Sequence, residues 1–328
     1  MVSDEPASEA SADSNRREIT PPRTQPSYWY SIGLGTLVGT AIFLGGYLLC
    51  IDDHTDYGVV IFILVPFAAG VCVGRTMDRR NAVSSCLLTT LLLSLSTAML
   101  TLILSGSEGY ICCLMALPLL LIGMAFGTWF GLALQPRSAQ RRSDDRRRTL
   151  MLLISCPVFI AAADRLEKPH RMEQRLETFS TEISVAGTPQ QAWKAIAQLN
   201  NLSGARPFLL RIGLPTPLSC ELEADRVGAS RTCHFDQGRI AQTVTIWNEP
   251  AQMKFQVMES TLPGRRWLSF VDAGYELKPD GKNTTIVRHS QIASRLYPRW
   301  YWRPFEEWGV ASEHDYVLEN IRANLSTR

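Results

Sequence analysis

Charge is nearly missing from one third of this chain. It carries 33 basic and 31 acidic residues, yet only 8 of them fall between Tyr28 and Leu134. A single water-facing globule is excluded, because its surface needs charge throughout. Charge of one sign is missing too: the net value is +2, and from Asp164 onward 21 basic residues face 19 acidic ones. That balance is too even for a phosphate-binding footprint, so nucleic acid is not an expected partner. No CxxC pair occurs among the eight cysteines, which removes the usual zinc-site spacing. GxSxG, HExxH and GxxxxGK[ST] are absent as well, so neither a nucleophile elbow, a zincin helix nor a phosphate loop is written here. No metal, nucleotide or other cofactor is expected.

What is present begins with apolar runs at 28–51, 58–74, 81–107 and 109–136, none holding Asp, Glu, Lys, Arg or His. About 20 such residues cross the ~30 Å hydrocarbon layer, so these read as spans, the second being short. Small-residue spacings at Gly35/Gly39, Gly70/Gly74 and Gly123/Gly127/Gly131 allow helices to approach closely. Intramembrane charge is absent, which argues against a pump or channel. The acidic loop with Asp52, Asp53, His54 and Asp56 has metal-friendly residue types but reads as a solvated loop. Arg16, Arg17 and Arg23 precede the first run, Arg75, Arg79 and Arg80 follow the second, and a six-Arg segment from Arg137 to Arg148 follows the fourth. The other loops lack Lys and Arg, so a cytoplasmic N-terminus satisfies every loop. The run 149–163 is ambiguous. Its fifteen residues rise only about 22 Å as a helix; it either crosses with help from Arg148 and Arg165, placing the rest outside, or lies at the interface.

The organisation expected is a disordered cytoplasmic tail at 1–27, a transmembrane helical region at 28–163 with four or five spans, a linker at 164–177 and a soluble domain at 178–328. Residues 178–185 alternate as a strand. Thr188, Pro189 and Gln191 form a capping signature for a helix carrying Trp193 and Ile196. Six strand candidates follow at 217–223, 230–236, 239–247, 252–258, 266–277 and 283–292, with short turns that imply antiparallel pairing. A long helix is expected from near Pro304, with Val310, His314, Val317, Leu318, Ile321 and Leu325 on one stripe and Glu306, Glu307, Glu313, Glu319 and Arg322 on the other side. A curved sheet and a straight helix leave space between them, where small apolar ligands bind.

ETFSTEISVAGTPQQAWKAIAQL, Arg231–Phe235, VTIWNEP at 244–250, Tyr297–Trp302 and His314 followed by VLENI carry a resemblance to the START-like superfamily. Within it, the sequence is similar to bacterial membrane-anchored proteins described as polyketide cyclase/dehydrase-like. The resemblance covers about residues 178–326 and implies an α+β helix-grip domain, a curved antiparallel sheet around a long C-terminal helix. It also implies a bacterial inner-membrane setting, in which the Arg pattern and a crossing at 149–163 put the domain in the periplasm rather than the cytoplasm. The superfamily includes carriers, cyclases and receptors, so fold alone does not choose among them. The reading preferred is binding of a hydrophobic small molecule or lipid between sheet and helix, with His314, Trp247 and Tyr275 as ligand contacts. The alternatives are a cyclase/dehydrase-type enzyme using His314 as its acid/base, or a membrane-tethered sensory or protein-interaction module. His314, Trp247 and Tyr275 equally fit ordinary core packing, as do His234 and His289. Tyr297 and Trp300 to Trp302 fit either a membrane interface or a lid. Cys220 and Cys233 flank a turn at near-symmetric positions and are a disulfide candidate, provided the register does not slip by one.

Overall fold

The first helix, α1 (Tyr28–Cys50), takes its form from 23 uncharged residues in series. The computed structural model describes residues 28–50, 58–77, 84–105, 108–135, 142–168 and 175–326. The N-terminal tail, the Asp52, Asp53, His54 and Asp56 loop, Arg79, Arg80, Arg137 and Arg141 therefore lie outside the described residues. A π-helical turn at Val60–Leu64 leads into α2 (Val65–Thr76), followed by α3 (Ser84–Leu104), α4 (Tyr110–Ala133) and α5 (Arg142–Glu167). Four helices are long and apolar enough to cross a membrane: α1, α3, α4 and Arg147–Glu167 of α5. Helix α2 is shorter and nearly all of it is buried among the others. Glycines explain how it fits. A Cβ on Gly70 or Gly74 would strike the backbone of α4, and one on Gly127 or Gly131 would strike Phe67 or Val71 of α2, so only a glycine seam allows these backbones to touch.

The ambiguous run 149–163 lies inside one continuous 26-residue helix. Flanking charged residues extend it beyond its apolar centre, to about 39 Å at about 1.5 Å per residue. At one end Arg75 donates to Thr149 Oγ1 at 3.3 Å and to the Leu134 carbonyl at 2.8 Å. At the other, the Glu167 carboxylate accepts the backbone N–H groups of Val59 and Val60 at 2.6 and 3.1 Å, the orphan donors of a helix start. Helix α5 thus runs the length of the bundle, and the chain leaves it at the end opposite Arg75.

There β1 (Arg175–Ala186) begins the second half. It is followed by α6 (Pro189–Ala197), α7 (Phe208–Arg211), β2 (Pro217–Leu222), β3 (Ser230–Phe235), β4 (Gly238–Asn248), β5 (Gln252–Ser260), β6 (Leu268–Asp280), β7 (Asn283–Ser294) and α8 (Arg299–Ser326). Thr188 and Gln191 close the expected capping box. The seven strands form one antiparallel sheet in the order β1-β7-β6-β5-β4-β3-β2. Register shifts within β4–β5 and β6–β7 add local bend and twist, and the curled sheet grips α8. The fold class is the helix-grip arrangement expected. Helix α8 starts earlier than expected, at Arg299, because the Pro298 carbonyl already accepts the N–H groups of Tyr301 and Trp302.

Cys220 lies directly opposite Cys233 in the β2–β3 pair, and their sulfurs are bonded. Behind them Trp193, Ile196, Phe255, Tyr316 and Val317 build a closed core. A second core crosses from bundle to domain: Trp267, Leu296 and Trp302 are buried together with Phe62, Tyr47 and Leu120. The two halves therefore share one continuous interior.

Candidate functional site

Helix α8 presents two adjoining inward faces. Trp302, Phe305, Glu306, Gly309, Val310 and Glu313 recur at helical spacing and line one cavity. They bound a cavity of about 310 Å³ whose opposite wall is Leu268 and Phe270 of β6, with Leu262 to Trp267 at the side. Its floor comes from the other half of the chain: Tyr110, Ile111 and Met115, the first turns of α4. The lining is overwhelmingly apolar. Its volume is roughly twice the ~150 Å³ of a dry engineered cavity that takes up benzene. Contacts around the rim fasten domain to bundle, with Tyr301 donating to the Met115 carbonyl at 2.6 Å and Trp302 packing on Phe62 at 4.8 Å between ring centroids. Trp302 is 1 % exposed, whereas Trp300 is 72 % exposed. The aromatic cluster therefore splits between docking and surface.

Glu306 and Glu313 do not face solvent as their charge suggests. Both are buried, because cations on distant strands meet them. Arg175 of β1 donates to Glu306 at 2.6 Å, and Ser294 adds a hydroxyl. Arg288 of β7 donates from Nη2 to both carboxylate oxygens of Glu313, at 2.7 and 2.9 Å. Helical periodicity alone carries no trace of these partners.

Phe235, Phe270 and Glu313 also wall a second, smaller space of about 30 Å³ next to the cavity, the neck. Cross-strand pairing assembles its polar end: Arg231 faces Gln242, and Tyr275 faces Arg288. Arg231 donates to Gln242 Oε1 at 2.7 Å, and its guanidinium lies 4.3 Å from the Phe255 ring centre. Arg288 also donates to the Tyr275 hydroxyl. Burial lowers the Arg231 pKa from its ordinary value, only partly opposed by Tyr275 and Glu313. For Arg288 burial works in the same direction, but Glu313 and Tyr275 outweigh it and the net shift is upward. Sequence reasoning misses Arg231 and Arg288. Arg231 stands two residues from Cys233 and Arg288 two from Ile286, on the inward side of each strand, which is the available signal.

The residues singled out from sequence are dispersed. Tyr275 lines the neck. Trp247 packs edge-on against Trp193 at 4.9 Å on the α6 side and does not line the large cavity. His314 is fully enclosed, with Nδ1 3.1 Å from Thr181 Oγ1 and Nε2 2.8 Å from Ser290 Oγ. Burial first, then the nearby Arg288 and His289, push its pKa down to about 2. The imidazole is a neutral hydrogen-bonded member of the core with no wall on the cavity. No group of His, Cys, Asp and Glu suited to a metal occurs among the described residues.

Residues 177–326 match the family described as polyketide cyclase/dehydrase and lipid transport. Among solved structures, a START superfamily protein from Mycobacterium smegmatis is 10 % identical over 46 % of this chain and 97 % of its own, with a TM-score of 0.35. A protein from Arthrobacter aurescens is 18 % identical over 46 % of this chain and 87 % of its own, with a TM-score of 0.33. Norcoclaurine synthase from Thalictrum flavum, in complex with dopamine and hydroxybenzaldehyde, is 14 % identical over 45 % and 87 %, with a TM-score of 0.30. No curated protein matches the chain.

Proposed function

We propose, from the premise that residues 177–326 form a START-like domain of the polyketide cyclase/dehydrase and lipid-transport family, that this chain is a membrane-anchored receptor for a hydrophobic small molecule or lipid. One observation carries the reading: the 310 Å³ cavity is bounded jointly by the domain and by the first turns of α4. A ligand entering there moves between bilayer and protein without its apolar part meeting water. That matters at about 0.8 kcal/mol per methylene.

Gly309 supplies the test. It lies on the cavity wall, and a Cβ added there meets nothing within 4 Å. In purified full-length protein, N-phenyl-1-naphthylamine is expected to gain fluorescence in the cavity. Gly309→Phe puts a phenyl ring, the size of guest a ~150 Å³ cavity holds, into that space, which leaves too little for the two-part aromatic probe and abolishes the gain. Stability should move the other way, upward by roughly 0.3–0.5 kcal/mol, since phenylalanine is a better helix former than glycine. A variant that keeps the probe signal, or a wild type without one, ends this reading.

The proposed setting is the bacterial inner membrane, with the N-terminus cytoplasmic and the domain periplasmic. Arg75, Arg147 and Arg148 at the bundle end away from the domain support this. So does the Cys220–Cys233 disulfide, which suits an oxidising compartment. A C-terminal alkaline phosphatase fusion is expected to be active and a green fluorescent protein fusion dark. The reverse pattern would refute the orientation.

A further inference from the structure

We infer that the ligand is a monoanionic amphiphile, a hydrophobic carboxylic acid whose head seats in the neck beside Arg231 while its tail fills the larger cavity. This rests on the cavity being the binding site. Charge count comes first: the neck holds two guanidinium groups, Arg231 and Arg288, and one carboxylate, Glu313. Both Glu313 oxygens accept from Nη2 of Arg288, so one positive charge is left over, on Arg231. That side chain is 6 % exposed, and among the described residues its hydrogen bonds go to the neutral Gln242 and Tyr275. A buried cation without an anion is costly, and an aliphatic side chain would pack the position at lower cost if packing were its only task.

Shape agrees with charge. The neck and the large cavity share Phe235, Phe270 and Glu313 as walls, so the two spaces are adjacent, and the ligand inferred here passes between them at these side chains. A water needs about 10–15 Å³ measured in this way, so 30 Å³ admits the two oxygens of a carboxylate. A phosphodiester head with its alcohol substituent is too large. The competing position is Arg265 at the mouth, which lines the large cavity and, among the described residues, donates to the Thr261 and Leu262 carbonyls. A head held there would point outward, with the tail inside.

The experiment displaces N-phenyl-1-naphthylamine from full-length protein with palmitic acid or methyl palmitate, counting only signal that Gly309→Phe lacks. The acid is expected to displace at a concentration at least about tenfold lower, the scale of one charge-assisted hydrogen bond. Arg231→Met should bring the acid to the level of the ester and leave the ester unchanged, whereas Arg265→Met should keep the preference. Equal displacement by acid and ester overturns the inference but leaves the cavity reading intact, while absence of any cavity signal defeats that earlier reading instead. Loss of the preference in Arg265→Met, with retention in Arg231→Met, also overturns it. Should Arg231→Met not fold, Arg231→Gln takes its place, and the wild-type ratio together with Arg265→Met still decides.

Discussion

Trp302→Ala is expected to lower the unfolding free energy of the full-length protein by about 3–5 kcal/mol, the range for removing a buried large aromatic. The side chain is 1 % exposed and lies in the core that joins the two halves. It packs on Phe62 from the bundle and Trp267 from the β5–β6 connection, and its indole N–H reaches the Tyr297 carbonyl at 3.2 Å. Truncation removes an apolar anchor and leaves that carbonyl without its donor. The loss concentrates at the junction, so domain and bundle should also melt less cooperatively. Two resolved transitions are expected where wild type shows one.

A functional consequence follows from the same position. Trp302 is a wall of the 310 Å³ cavity, so its removal admits water between domain and α4 and weakens uptake of the apolar probe. Trp300→Ala is the control. Its ring is 72 % exposed, and a change there should stay within about 0.5 kcal/mol. Thermal melting followed by tryptophan-independent circular dichroism distinguishes the two. Equal midpoints for Trp302→Ala and wild type would show that the domain does not depend on this anchor.

The strands and helices were largely legible because each has a local signature. Met253 and Phe255 alternate with Lys254 and Gln256, and the Thr188–Gln191 box marks its helix start. The cavity was legible only in outline. A curled sheet around a helix implies a space, but its floor, Tyr110 to Met115, is contributed by an element nearly two hundred residues upstream of α8. Inward-facing carboxylates escaped for a similar reason, since Glu306 depends on Arg175 in β1. Gly309 was a readable clue, because an isolated glycine inside a long helix marks a packing or functional need. The short run at 58–74 shows a different limit. Its length is below that of a full span because α2 is enclosed by other helices.

Acid should destabilise the domain through His314, with a slope of up to about 1.4 kcal/mol per pH unit from this one group. Its folded pKa is lowered to about 2 from an ordinary 6.5, so the folded state resists a proton that the unfolded chain accepts. The contribution is complete above about pH 6.5 and is lost progressively as pH falls toward 2. The causes are burial, then Arg288 and His289 of β7, while Thr181 of β1 and Ser290 of β7 hold the two ring nitrogens. Glu313 on the same helix is engaged by Arg288. Chemical denaturation from pH 7.5 down to pH 4.5 is the measurement, wild type against His314→Asn. The variant can be less stable at every pH, since two hydroxyls lose their partner, so the quantity compared is the slope. A flatter slope in His314→Asn, with probe uptake preserved at pH 7.5, is the outcome expected of a neutral core imidazole. Equal slopes would show that His314 is not the group titrating. Loss of uptake in a folded variant would return His314 to the cavity as a ligand or proton-transfer group.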